Sequence, residues 1–156
     1  MTKRKTGAGS SRTGQQSKEQ AAAPYSETGP PRLAVEFDPK DAITAIERAT
    51  AAHPILSRDG MGLNLFDPYA RHFSICGVVT ALTYLSQFPK QAPQYSSDWL
   101  KDKATEWGTE NALDCAVGNG DLIVAAVFLG LPVKHDDGPN VRIGINLRWV
   151  RATALH

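Results

Sequence analysis

Apolar positions recur at three-and-four spacing in several stretches of the chain, and each predicts a helix. Ala42, Ile43, Ile46 and Ala49 form the first stripe. Asp38 precedes it as a cap, Pro39 suits the first helical position, and Asp41 adds negative charge to the first turn. That helix should stop near His53, because the residue before Pro54 is biased out of the helical region. A second stripe, Ile75, Val78, Val79, Leu82 and Leu85, predicts a helix from about Phe73 that ends before Phe88-Pro89. After a connector containing Pro and Gln, Ser97 can cap a third helix running through Trp107, with Gly108 where helices commonly end. Trp99, Leu100, Ala104 and Trp107 make its apolar side, and Lys101, Asp102, Lys103 and Glu106 its wet side.

Two other patterns follow. Leu122 to Leu129 has no polar face, so the helix opened by Gly118-Asn119-Gly120-Asp121 should be surrounded by protein; Gly130, Leu131 and Pro132 then terminate it. Val141, Ile143, Ile145, Leu147 and Trp149 alternate with Arg142, Gly144, Asn146 and Arg148, which predicts a half-buried strand. Asp136-Asp137-Gly138-Pro139-Asn140 is a turn cluster, and Val133 to His135 can supply the partner strand of a hairpin. Residues 54–71 show no period and carry Asp59-Gly60 and Asp67-Pro68 turn signals. A loop of this length is often functional, and His53 and His72 flank it. The expected fold is α+β: a mostly helical single domain of about four helices ending in a β-hairpin.

Composition adds a division near Arg32. The large apolar or aromatic side chains of residues 1–32 are limited to Met1 and Tyr25, too few to offset the ordering entropy, so a disordered basic tail is expected before one globular domain, 33–156. The tail holds six basic residues against two acidic ones. The domain holds eleven against fourteen, so the net charge of +1 hides a mildly acidic body. That excludes a globally basic nucleic-acid binder but leaves a flexible basic arm. The start of the chain has no apolar run of the kind a secretory leader needs, which points to the cytosol. Leu122 to Leu129 is the longest apolar run, far short of the ~20 residues of a membrane span. Cys76 and Cys115 sit among apolar neighbours and read as reduced core residues.

Three groups of residues are candidates for chemistry. Gly118-Asn119-Gly120-Asp121 could cradle a phosphate on free helix N–H groups, but it lacks a following Lys or Arg and places Asp121 in the first turn. Asn119 as a cap and the glycines as turn residues explain it without a ligand. His72 and Cys76, four apart on one helix, with Asp67 nearby, are candidate catalytic residues; they make at most half of a metal site or a nucleophile–base pair, and no metal or cofactor is expected. Lys3, Arg4 and Lys5 in the tail, with Lys134, Arg142, Arg148 and Arg151 on the hairpin, could contact a partner or a polyanion; a solvated strand face accounts for the hairpin charges more simply. Three helices and a hairpin invite comparison with a winged helix, yet the helix before the hairpin is apolar and cannot enter a groove.

The function expected from these features is a non-enzymatic binding or regulatory accessory module whose partner is another protein. The alternatives are a nucleic-acid-associated accessory protein using the basic tail and arginine hairpin, and a small cytosolic enzyme using the His72, Cys76 and Asp67 region. A protein-binding module predicts an exposed apolar patch, the nucleic-acid reading predicts convergent positive charge, and the enzyme predicts a pocket that gathers the named polar groups.

Overall fold

Asp38 and Asp41 start the first helix as their positions predict. The Asp38 carboxylate accepts the Asp41 N–H at 3.0 Å, and the Asp41 carboxylate accepts the Asp38 N–H at 2.9 Å. The computed structural model describes residues 36–148. Its elements are α1 (Pro39–Ala52), β1 (Leu56–Ser57), β2 (Gly60–Met61), α2 (Ile75–Leu85), β3 (Lys90–Ser96), α3 (Ser97–Glu110), α4 (Asn119–Phe128), β4 (Val133–His135) and β5 (Val141–Ile145). The tail expected over residues 1–32 lies outside the described residues. The α+β class, the four helices and the closing β4–β5 hairpin are as the periodicities predict.

The core centres on α4, which is buried from Asn119 to Ala126 and packs against α1, α2 and α3. The face α1 turns inward keeps Ala42 and Ala49 of the expected stripe, with Ile46 at its edge, and takes Ala45 in place of Ile43. Ala42, Ala45 and Ala49 are buried, while Ile43 is 48% exposed and Ile46 only partly covered. An alanine stripe lets the α1 backbone lie close to its neighbours, and that close fit outweighs the burial of one more isoleucine. In α2, Ser74 caps the start through the Gly77 N–H (2.9 Å). Its Thr80 and Thr83 return their hydroxyls to the carbonyls of Cys76 and Val79 (2.9 Å each), which makes their burial tolerable.

α3 differs in detail at both ends. Ser96, not Ser97, is the cap; Ser97 is the first helical residue, fully buried, and its Oγ accepts the N–H of Val141 at 3.0 Å. Gly108 lies inside the helix rather than past its end. The Leu113 carbonyl and the Thr80 methyl sit 2.9 Å from where a Cβ would be, so glycine there permits close packing. After α4, Gly130 takes the left-handed conformation (φ 71°), and Leu131 bonds back to the Ala126 carbonyl at 3.0 Å, as the Gly-Leu-Pro signal predicts.

The sheet has the order β3-β5-β4 with antiparallel pairing throughout. The stretch expected as a connector, 90–96, is therefore an edge strand. Pro93 disguises it, and an edge is where a strand tolerates proline. The expected strand through Trp149 ends at Ile145 instead. The Asn146 side chain accepts the Arg148 N–H at 3.1 Å and caps a helical segment that opens at Leu147, and Trp149 falls outside the described residues. Val141, Ile143 and Ile145 are fully buried and Arg142 faces out. Among the described residues no helix is long and apolar enough to cross a membrane.

A candidate binding surface at one end of the helix bundle

The start of α4 is closed from within. Gly118 is its cap residue, and its N–H donates to Asp121 Oδ2 at 2.9 Å. Asp121 Oδ1 accepts the N–H of Ser74, the cap of α2, at 3.1 Å. The Gly120 N–H donates to the Arg58 carbonyl at 2.9 Å. One carboxylate thus occupies the place where a phosphate would lie, and serves two helices at once. Burial pushes the Asp121 pKa above its ordinary value, opposed by the hydrogen bonds from Gly118 and Ser74. Asn119, expected as the cap, instead reaches outward: its Nδ2 donates to the Asp59 carbonyl (3.2 Å) and to Asn140 Oδ1 (2.9 Å), while its buried Oδ1 has no partner among the described residues.

Beside this helix start lies a cleft of about 520 Å³ whose walls include Arg58, Asp59, Asp98, Lys101, Asn119 and Asn140. Its cations are already engaged. Arg58 lies 3.1 Å from Asp67 and 3.7 Å from Asp59, and Lys101 lies 2.9 Å from Asp102 and 3.5 Å from Asp98. A second cleft of about 530 Å³ adjoins it at Asn140 and is walled by Tyr95, Trp99 and Arg142. There Tyr95 and Trp99 stack with centroids 5.6 Å apart, and the Lys103 ammonium sits 5.4 Å from the Trp99 ring centre.

The long loop beside α4 is held by its own side chains. Within it β1 and β2 form a small antiparallel pair. Ser57 Oγ donates to the Leu63 carbonyl at 2.6 Å, Asn64 Nδ2 to Asp59 at 2.9 Å, and Arg58 Nη2 to Asp67 at 3.1 Å. The other Asp67 oxygen accepts the Tyr69 N–H at 2.8 Å. Main-chain bonds from Arg58 to Ala70 (2.7 Å) and from Met61 to Pro139 (2.9 Å) fix both ends. This bracing leaves large apolar side chains in water: Leu63 is 40% exposed, Leu65 41%, Tyr69 57%, and Phe66 fully exposed at 103%. The expectation of a loop that bears function drew on its length and its flanking histidines. The more informative signal was the density of apolar residues without a period, Leu63, Leu65, Phe66 and Tyr69, in a segment that no helix or strand absorbs.

The candidate catalytic residues are engaged separately. Cys76 is exposed and forms a disulfide with Cys115, with Cα atoms 6.0 Å apart. This corrects the reading of both as reduced core residues, and it removes the Cys76 thiol as a nucleophile. The cause is topological: α3 folds back so that the connector before α4 runs beside the first turn of α2, which sequence neighbours cannot reveal. His72 packs edge-on against Tyr69, ring centroids 4.9 Å apart, and Asp67 is committed to Arg58 and the Tyr69 N–H. Among the described residues no three His, Cys, Asp or Glu side chains gather as a metal-binding group. On the hairpin, Lys134 stands directly across from Arg142, and Arg142 Nε lies 2.9 Å from Asp136. Arg148 is exposed in the helical segment that opens after β5. Arg151 and the tail residues Lys3, Arg4 and Lys5 lie outside the described residues. No family model, curated protein or solved structure matches this chain.

Proposed function

We propose that the chain is a binding module that engages a protein partner through the apolar face of the 63–69 loop. The observation that carries this reading is Phe66, a fully exposed aromatic side chain on a backbone braced from both sides. Burying such a side chain in a partner yields roughly 1.5–3 kcal/mol. A braced loop loses little further conformational freedom on binding, so most of that gain is kept. Leu65 and Tyr69 widen the contact, and Arg58 and Asp67 neutralise each other at its edge.

A photo-crosslinking residue introduced at Leu65 tests the proposal. It should give a discrete protein adduct that disappears when Phe66 is changed to Ser in the same chain. Absence of any adduct, or adducts indifferent to Phe66, would overturn it.

A further inference from the structure

We infer that the Cys76–Cys115 disulfide is a thiol-exchange site, which a dithiol reductant opens in the folded chain and which thereby sets how firmly the Phe66 loop is held. For its effect on binding the inference rests on the loop reading above. A reductant reaches the bond without unfolding the chain, because Cys76 is exposed and Cys115 half-buried, and exposed disulfides are the labile ones. The segment carrying Cys115 is lightly held. None of residues 111–116 is buried, and Ala112 takes the left-handed conformation (φ 62°), which alanine rarely adopts. Its hydrogen bonds run to α3 or within the segment: the Leu113 N–H donates to the Gly108 carbonyl at 2.7 Å, and the Cys115 N–H to the Leu113 carbonyl at 2.8 Å. Among the described residues no hydrogen bond joins residues 111–116 to α2, so the disulfide is their one bonded tie to that helix, beside the packing of the Ala116 carbonyl on Gly77.

Cys76 is the second residue of α2, after the Ser74 cap. The positive end of a helix start favours a thiolate there, so Cys76 is the better leaving group. A thiolate of the reductant attacks Cys115 Sγ, the Cys76–Cys115 bond breaks, and Cys76 departs as a thiolate. The second thiolate of the reductant then attacks the reductant's sulfur in the mixed disulfide and frees Cys115. Two electrons pass to the cysteines, the reductant ends as a disulfide, and its two protons reach the released sulfurs through water. The opened bond lies beside the Asp121 carboxylate, whose two donors are Ser74, two positions before Cys76, and Gly118, three after Cys115. Closed, the disulfide and this carboxylate both tie the start of α2 to the chain entering α4; open, the carboxylate is left to do so alone. Asn119 Nδ2 and the Gly120 N–H, the next donors along the chain, hold the Asp59 and Arg58 carbonyls at the base of the loop. Loosening this seam therefore loosens the loop, and a loop that must be ordered on binding binds more weakly.

Dithiothreitol added to the full chain without denaturant tests the exchange, with alkylation and mass spectrometry counting free thiols and circular dichroism following the fold. Both cysteines should become alkylated while the helical signal is kept. Hydrogen exchange then separates local release from a general loss of stability. In the oxidised chain the Arg58 and Gly120 amides should exchange as slowly as that of Ile123 in the middle of α4; in the reduced chain they should exchange at least about tenfold faster than Ile123. A chain carrying Cys76→Ser and Cys115→Ser should reproduce the reduced ratio without reductant. Resistance to dithiothreitol until the chain is denatured overturns the inference. So does loss of the fold on reduction, or an exchange ratio that reduction leaves unchanged. The Leu65 crosslink reads the effect on binding, and its yield should fall between about two- and tenfold in the reduced chain. An adduct equally abundant in both states overturns the control of the loop by the disulfide. If no adduct forms in either state while the exchange ratio shifts, the loop reading fails and the thiol-exchange site stands.

Discussion

Asp121 and Ser74, 47 positions apart, are joined by a 3.1 Å hydrogen bond from the Ser74 N–H to the Asp121 carboxylate, whose second oxygen holds Gly118. Asn at position 121 keeps one acceptor and turns the other into a donor facing an N–H. Asp121→Asn should therefore destabilise the fold by about 1–3 kcal/mol at neutral pH, the cost of one unpaired buried amide. Burial raises the Asp121 pKa above its ordinary 3.8 in the folded state. A raised carboxylate contributes stability that is fully present below the unfolded pKa and is lost as pH rises through the folded one. The gap between wild type and Asp121→Asn should accordingly widen as pH falls below neutrality. Chemical denaturation at several pH values measures this, and a gap that narrows on acidification contradicts the assignment.

Phe66→Ser should leave stability within about 0.5 kcal/mol of wild type, because a fully exposed side chain contributes no burial to the fold. A drop in thermal midpoint of several degrees would mean that Phe66 packs on its own chain and is not available to a partner.

Reducing the Cys76–Cys115 bond releases a closure spanning 39 positions. The chain-entropy relation for a loop of that size gives a loss of about 4 kcal/mol. The midpoint in urea should fall on adding reductant, and the slope should steepen, because the uncrosslinked unfolded chain exposes more surface. Identical curves with and without reductant would show that the two sulfurs are not bonded.

Gly120 lies against the Ser57 carbonyl, and a Cβ there would sit 2.6 Å from Arg58 Cα. Gly120→Ala should push the β1–β2 turn off the start of α4, costing about 1–3 kcal/mol as overpacking does. Thermal unfolding reads it; an unchanged midpoint would mean the turn and the helix are not in contact.

What the chain disclosed on reading depended on whether the determining interaction was local. The Asp38 cap, the stop near His53 and the Gly130-Leu131-Pro132 ending are set by residues within one turn, and each was legible. Ile43 was expected inside and lies half outside, because the choice between an isoleucine and an alanine stripe is made by how closely the neighbouring helix approaches. The same holds for β3. Its pairing partner is β5, across the whole of α3 and α4, and nothing in Lys90 to Ser96 alternates strongly enough to announce it. The candidate surface was legible as a place, the aperiodic loop, but not as a chemistry. The histidines and Asp67 drew attention there, whereas the exposed apolar side chains carry the reading.

Three of the ties around that loop and its neighbours are long in sequence: Ser74 to Asp121 at 47 positions, Asp59 to Asn119 at 60, and Ser97 to Val141 at 44. Each alone would require an expensive loop closure, but closure cost grows only with the logarithm of loop length and is borne mainly by whichever tie forms first. Once one is made, the others close over chain that is already confined. They should therefore form and break nearly together, so the segment bearing Phe66 has no inexpensive way to fray by itself. The Arg58 amide, bonded to Ala70, should exchange with solvent at the rate of whole-molecule opening rather than at the rate of a surface loop.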